Sequence, residues 1–364
     1  MVIADTVKAQ LQTWARDHRP SGTPFFLGLG IHKPHLPWAV PRRFKQQLPQ
    51  LEDIPLAKHQ LPPVGMPDVA HHACNWGYFP FGWRTRDQII DETIAHEARL
   101  AYYAAVSFAD SLVGSVLDEL RAVGADNTSF VLLTSDHGWQ LGEHNEWCKE
   151  TLFELSLHIP LLIRPPPAAA RYDGVRGTHT TAFASLIDLY KTMSDLAGLP
   201  APEAGVDGVS VAPLLLPPAE RAPGFAPATS AISQHARCFT TWFPNGTTNN
   251  ETFTPFNGAD SCTVVPRDRL DLMGFSVRTA AWRYTEWRRW KGDALAGDWT
   301  PQGLNATELY AHADAPAGTP LDFDAAENVN VAGDAANAAV VQRLARLLRE
   351  RFEEGGKEGE IEKK

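Results

Sequence analysis

The sequence predicts an α/β protein, and three observations lead to that class. Apolar residues recur at helical spacing from about residue 86 to residue 123. An apolar run at 130–133 then leads directly into Asp136 and His137, as a strand does before a functional loop. Alternating residues at 275–278 and 282–285 indicate antiparallel strands. Helices and strands therefore alternate through most of the chain, and an antiparallel part follows.

The remaining elements are predicted from local patterns. Residues 1–18 are amphipathic and favour a helix, and residues 24–30 are typical of a buried strand. Two prolines then force residues 32–37 into an extended loop. Residues 41–85 are rich in Pro, His and Trp and indicate a long surface excursion. Three later elements complete the prediction: a strand at 158–163, a helix at 184–196 that stops before Gly198, and a helix at 338–352.

A segment dense in Pro and Ala sets the predicted domain boundary. We expect a larger α/β catalytic domain at 1–217, a linker at 218–227 and a small antiparallel subdomain at 228–353. Residues 354–364 are charged and contain glycine, which indicates a disordered tail.

Composition excludes some classes of function. The 364 residues carry a formal net charge of −10, which argues against general affinity for nucleic acid. No apolar stretch approaches the roughly 20 residues that span a bilayer, so no transmembrane segment is expected. The first residues lack the apolar core of a signal peptide. The pattern leaves the oligomeric state open.

The cysteines and glycosylation sequons concern the compartment. None of the four cysteines has CxxC spacing, so a zinc site is not expected, whereas Cys238 and Cys262 lie in one polar, aromatic-rich stretch that allows a disulfide. Four N-x-S/T sequons, at Asn127, Asn245, Asn250 and Asn305, favour a secretory or lysosomal lineage.

Five residues are candidates for a functional site. Asp136 and His137 offer an oxygen and an imidazole to a metal ion, although such a pair before Gly is also common in plain turns. His35 follows the predicted strand at 24–30 and suits an acid or base near neutral pH, or else a histidine hydrogen-bonded in its loop. Lys149 offers a charge to an anion, or is a solvated loop lysine. Trp139 could line a sugar-sized pocket, or pack within the loop.

Two segments closely resemble the sulfatase family. They are FFLGLGIHKPHLP at 25–37 and TSDHGWQLGEHNEWCK at 134–149, and within the family they are most similar to the iduronate-2-sulfatase group. Supporting matches follow in family order at 102–114, 206–210, 274–279, 282–285, 308–310 and 327–330. The resemblance implies an alkaline-phosphatase-like fold, with a large mixed sheet, helices on both its faces and a smaller antiparallel subdomain.

The resemblance also implies a role for each candidate residue. Asp136 and His137 match two ligands of a calcium ion, His35 matches the histidine that contacts sulfate and assists the leaving alcohol, and Lys149 matches a lysine that binds a sulfate oxygen. The implied substrate is a sulfated uronic-acid sugar or polysaccharide, and the implied compartment is lysosomal or extracellular.

The chain departs from the family pattern at the nucleophile. Sulfatases use a formylglycine made from Cys or Ser in C/S-x-P-x-R, and no cysteine or serine here begins that motif. The family's paired aspartates are also absent, and so is its N-terminal third. We therefore expect a C-terminal fragment of a sulfatase, with two alternatives: an inactive remnant, or a phosphodiesterase or phosphonate hydrolase of the same superfamily.

Overall fold

The computed structural model describes residues 2–72, 87–200, 205–238, 241–242, 248–249, 262, 265–312 and 326–354. Its helices are α1 (Val2–Asp17), α2 (Arg42–Gln46), α3 (Glu92–Ala122), α4 (Glu154–Leu157), α5 (Asp188–Leu196) and α6 (Ala338–Arg349). Its strands are β1 (Val131–Thr134), β2 (Leu161–Arg164), β3 (Ser230–Arg237), β4 (Thr241–Trp242), β5 (Thr248–Asn249), β6 (Leu272–Thr279), β7 (Trp282–Lys291), β8 (Ala296–Gly297) and β9 (Leu304–Ala311). The predicted tail falls almost wholly outside these residues, and the predicted domain division stays a prediction.

Helix α3 shows why the predicted helix begins and ends where it does. The Asp91 side chain caps it by accepting hydrogen bonds from the backbone N–H groups of Thr93 and Ile94. It ends just before Gly124, whose φ of 71° is left-handed. By length and composition α3 is apolar enough to cross a membrane, so the expectation of no transmembrane segment stays a prediction. Because α3 packs against α1 and α2 and buries Arg99, we describe it as part of the folded domain.

A five-stranded antiparallel sheet dominates the second half of the chain. β3, β6 and β7 are neighbours in that order, and β8 and β9 both pair with β7. One face packs against α6, where Leu344 and Leu348 are fully buried with Tyr284 and Leu309. The other face, which includes Trp287, packs against residues from 66–70 and 152–153. The predicted strands at 275–278 and 282–285 are confirmed within β6 and β7.

Strands β1 and β2 form a separate antiparallel pair that leads into the candidate site. The segment 24–30 does not form the predicted buried strand: it is extended but lies outside the strands of the described residues, and Phe26 is 81% exposed. Phe25 and Leu27 pack beside Leu11 and Leu120, while the alternate side chains face solvent. The segment therefore has one packed side instead of two.

Two predictions about loops also need correction. The loop 32–37 is a tight turn with cis peptide bonds at Lys33–Pro34 and Leu36–Pro37, and not an extended segment. The region 41–85 is not purely a surface excursion, since Phe44, Ile54 and Val69 are buried. Short apolar side chains spaced irregularly between prolines gave no periodic signal that would have revealed this packing. Residues 73–86 lie outside the described part.

The predicted disulfide between Cys238 and Cys262 is confirmed, and its two Cα atoms are 5.7 Å apart. Cys148 is also disulfide-bonded and is buried. Nothing in the spacing of the cysteines signals a covalent bond at Cys148. Three disulfide-bonded cysteines among the described residues are consistent with an oxidising compartment.

Candidate functional site

Asp136 and His137 lie in an exposed turn two residues after β1 ends. The His137 ring donates from Nδ1 to the carbonyl of Gly138 at 2.8 Å, because a carbonyl can only accept. In a neutral imidazole this places the proton on Nδ1 and leaves Nε2 available to a metal ion, and Asp136 Oδ2 lies 3.3 Å from that Nε2. The Asp136 side chain is 84% exposed. One carboxylate and one imidazole atom thus converge at a solvent-facing point.

This pair fits part of a calcium site. Calcium takes six to eight ligands, mostly oxygens. Asp136 and His137 supply two neighbouring donor atoms, so further ligands would have to come from other residues. In the described part of the chain, Asp136 is the carboxylate that contacts the His137 ring, and metal binding here stays a prediction.

His35 sits on the tight turn after the extended segment and is exposed. Its Nδ1 donates to the carbonyl of Leu36 at 2.8 Å, and its backbone N–H donates to His32 at 3.0 Å. The Lys33 ammonium donates to the carbonyls of both His35 and Pro37, which closes the turn. Partial burial lowers the pKa of Lys33. The Lys33 ammonium therefore stabilises the backbone of this turn, from which the exposed His35 projects.

Trp139 brings the candidate residues of the two loops together. The His35 ring lies 6.5 Å from the Trp139 ring, edge to face, and the Lys149 ammonium lies 5.9 Å from the centroid of the same ring. Tyr102 stacks against Trp139, and burial raises the pKa of Tyr102 to about 12. An imidazole, an indole and an ammonium thus share one surface, two residues along the chain from His137.

The acidic residues of the loop 138–149 have architectural partners. Glu143 is buried and accepts from Arg99 Nη1 at 3.1 Å and from the Leu141 N–H at 2.6 Å. Glu146 is buried and lies 2.9 Å from His71 Nδ1. These contacts give the acidic side chains of this loop partners inside the protein. They fold the loop that carries Lys149 and do not face solvent as ligands would.

The Asp136–His137 turn is packed directly against α4, which the sequence did not predict. Gly138 donates its N–H to the carbonyl of Ser156 at 2.9 Å. A Cβ atom on Gly138 would lie 2.0 Å from the carbonyl oxygen of Leu155, so this contact requires glycine. The Gly after Asp136-His137 was a visible signal, although it indicated only a turn.

A buried charge network holds α4 in place. Glu154 lies 3.0 Å from Arg278 Nε and also contacts Arg283, while its own N–H donates to Glu327 at 2.6 Å. Burial would raise the pKa of Glu154, but Arg283, His158 and Arg278 outweigh it and hold the pKa well below its usual range.

The described residues contain a second cluster with metal-ligand chemistry, Glu154, His312 and Glu327. The guanidinium of Arg283 already lies between the two carboxylates, with Nε 2.6 Å from Glu327. A cation would have to displace this arginine, so the ion pairs explain the cluster better than a metal does. A half-open cavity of about 1640 Å³ lies beside Glu154, Arg278 and Arg283, and it includes none of the five predicted site residues.

Known proteins resemble this chain in sequence and in fold. The family model described as Sulfatase matches residues 2–199. Mouse iduronate 2-sulfatase is 28% identical over 90% of this chain and 61% of its own length, and arylsulfatase K from Xenopus laevis is 31% identical over 58% of this chain and 38% of its own length. The chain therefore spans about three fifths of the length of that iduronate 2-sulfatase.

Solved structures support the fold. A phosphonate monoester hydrolase from Silicibacter pomeroyi superposes with a TM-score of 0.62 at 23% identity, covering 96% of this chain and 59% of that one. A protein solved with its substrate D-glucosamine-2-N,6-O-disulfate also gives a TM-score of 0.62, at 16% identity, covering 96% and 69%. At these identities the likeness concerns the fold alone. It confirms the predicted alkaline-phosphatase/sulfatase-like α/β class.

Proposed function

This chain belongs to the sulfatase family, and we propose that the protein hydrolyses sulfate esters of uronic-acid sugars or related polysaccharides. The family match supports the reaction, and the name of the mouse and human relatives, iduronate 2-sulfatase, supports the substrate class. One geometric observation carries the proposal: His35 and Lys149 flank Trp139 beside the Asp136–His137 turn. An anionic ester would find a cation, an imidazole and an aromatic surface there.

Each residue has a distinct proposed role. Lys149 binds a non-bridging oxygen of the sulfate and offsets its charge. His35 places a proton on the leaving alcohol, for which an imidazole is suited near neutral pH. Trp139 packs against the sugar ring and keeps His35 and Lys149 apart at fixed positions. His35 is exposed and Trp139 and Lys149 are partly exposed, so a large substrate can approach them.

Calcium is the cofactor proposed for the Asp136–His137 pair. When bound, it would offset the charge that develops on the sulfate oxygens. Asp136 would offer Oδ2 and His137 would offer Nε2, whose lone pair is fixed by the hydrogen bond from Nδ1 to Gly138. The remaining ligands would be other oxygens, because a hard cation prefers them.

The proposed nucleophile, a formylglycine, requires residues that are not among the 364. No C-x-P-x-R or S-x-P-x-R occurs in them, and no Asp-Asp pair does. Activity therefore depends on sequence outside the printed chain that supplies the motif. Without it, the chain is a catalytically inactive sulfatase-like protein, which is the main alternative. Phosphonate or phosphodiester hydrolysis is the other, suggested only by a fold neighbour.

The secretory pathway is the proposed compartment. The three described cysteines are disulfide-bonded, and such bonds persist in oxidising compartments. Asn127 and Asn305 are the sequons in the described residues, and both side chains are exposed, as glycan attachment requires.

One experiment tests the proposed function on the natural protein purified from its source. Sulfate release from sulfated uronic-acid oligosaccharides is measured by ion chromatography, and peptide mapping detects a formylglycine aldehyde. We expect both signals, and we expect Lys149→Met to reduce kcat/KM on the sulfate ester. The absence of both signals would identify this protein as an inactive relative. Turnover of a phosphonate monoester above any sulfate ester would replace sulfatase activity with the other hydrolase class.

A further inference from the structure

We propose that Glu154 is a positioning residue that fixes the Asp136–His137 turn through α4, using arginines from the C-terminal sheet. The inference rests on the proposed function in taking this turn as part of the catalytic site. The partners of Glu154 lie at 278, 283 and 327, beyond the residues 2–199 that the family model matches. The C-terminal sheet would then help to set the site's geometry, and not only enlarge the core.

The first step is the contact between the turn and α4. The Gly138 N–H donates to Ser156, and the backbone of Leu155 lies where a side chain on Gly138 would have to be. His137 in turn donates from Nδ1 to the Gly138 carbonyl. Any shift of α4 therefore moves Gly138, and with it the imidazole whose orientation that carbonyl sets.

The second step is the attachment of α4 to the sheet. Glu154 opens α4, is 5% exposed, and contacts Arg278 of β6 and Arg283 of β7 through one oxygen. Glu327 accepts from the first N–H of α4 and also binds Arg283, so a single guanidinium ties both carboxylates together. His158, at the other end of α4, contacts the second oxygen of Glu154 at 3.1 Å.

The third step is energetic. A buried ion pair contributes little net stability compared with apolar side chains of the same volume, because burying the charges offsets their attraction. The network instead fixes the orientation of its groups, because each group is held by two or more partners. Four short contacts at the start of this four-residue helix hold α4 in a single position. Gly138 packs directly on α4, so its position depends on that of the helix.

Glu286 offers a matched control. It is buried on the opposite face of β7, where it pairs with Arg288 and accepts from the Tyr284 hydroxyl at 2.8 Å. Glu286→Gln therefore removes a buried carboxylate whose arginine partner also lies on β7. It leaves the contacts of α4 intact. Comparing Glu154→Gln with Glu286→Gln separates a loss of position at the turn from a general loss of stability.

The test combines hydrogen exchange on the full chain with kinetics on the natural protein. In Glu154→Gln we expect the Gly138 amide to exchange about tenfold faster and kcat/KM to fall about tenfold, as for other groups that orient ligands. In Glu286→Gln both should stay unchanged while amides of β7 exchange faster. If Glu154→Gln does not fold, Arg278→Gln removes one of the two arginine contacts of Glu154, and a threefold change in the same direction is expected.

Equal Gly138 exchange in the Glu154 and Glu286 variants would overturn the inference, as would a change spread evenly over all amides. Because hydrogen exchange needs no turnover, a protein that releases no sulfate would defeat the proposed function while leaving this readout decisive. Conversely, a sulfatase with normal Gly138 protection in Glu154→Gln would keep its function and lose the positioning role for Glu154.

Discussion

Replacing Gly138 with alanine is the sharpest test of how the candidate turn is packed. The new Cβ would lie 2.0 Å from the Leu155 carbonyl oxygen, whereas ordinary contacts begin at 3.4 Å. The two segments must therefore separate by about 1.4 Å, the difference between those distances. That separation breaks the 2.9 Å hydrogen bond from Gly138 to Ser156. Gly138→Ala thus combines an overlap with a lost hydrogen bond.

The expected cost follows from these two effects. Forcing a methyl group into a packed site costs about 1–3 kcal/mol, and losing a hydrogen bond at a buried contact adds about 1 kcal/mol. We expect the free energy of unfolding to fall by about 2–4 kcal/mol, measured by urea denaturation with linear extrapolation. The matched control is Gly28→Ala, since a Cβ there meets nothing within 4 Å. Its effect should stay within about 0.5 kcal/mol. If the two variants were equally stable, the close packing of the turn on α4 would be refuted.

Three further outcomes are expected. Replacing Cys238 and Cys262 with serine should lower the free energy of unfolding by about 3 kcal/mol, because the bond closes a loop with a sequence separation of 24; an unchanged urea midpoint would contradict this. Burial raises the pKa of Glu308 from 4.5 to about 7, so its contribution to stability is present below pH 4.5 and is lost as pH rises through 7. Glu308→Gln should flatten that part of a plot of unfolding free energy against pH, and an identical slope would exclude Glu308 as its source. His35→Ala should reduce turnover of alkyl sulfates far more than of activated aryl sulfates, and equal losses would reject the proton-donating role.

Local chemistry made several elements predictable. Helix α3 has a capping aspartate at its start and a glycine just after its end, and both signals lie within a few residues of the helix. The side chains of β6 and β7 point to two faces in turn, one of which packs on α6 and the other on residues from 66–70 and 152–153. The segment 24–30 misled the prediction, since a run of apolar residues indicates an extended chain without indicating how many of its sides are covered.

The candidate site was predictable to the extent that its residues stand in short motifs. Asp136, His137 and Lys149 share one loop, and His35 stands in another, so their residue types suggested anion and metal chemistry. That Trp139 lies between His35 and Lys149 is a property of loop packing, which sequence spacing does not encode. Nothing in the motif reveals that the acidic residues 143 and 146 face the buried Arg99 and His71.

The sequence by itself determined the α/β class, four of the six helices and four of the nine strands among the described residues, and the family to which the motifs belong. These features depend on periodicity, caps and turn residues, all of which act over a few neighbouring positions. Only the tertiary structure decided what surrounds Glu154, because Arg278, Arg283 and Glu327 are more than a hundred residues away along the chain. Burial of charge depends on every group that folds around it, and that information exists only once distant segments have packed together.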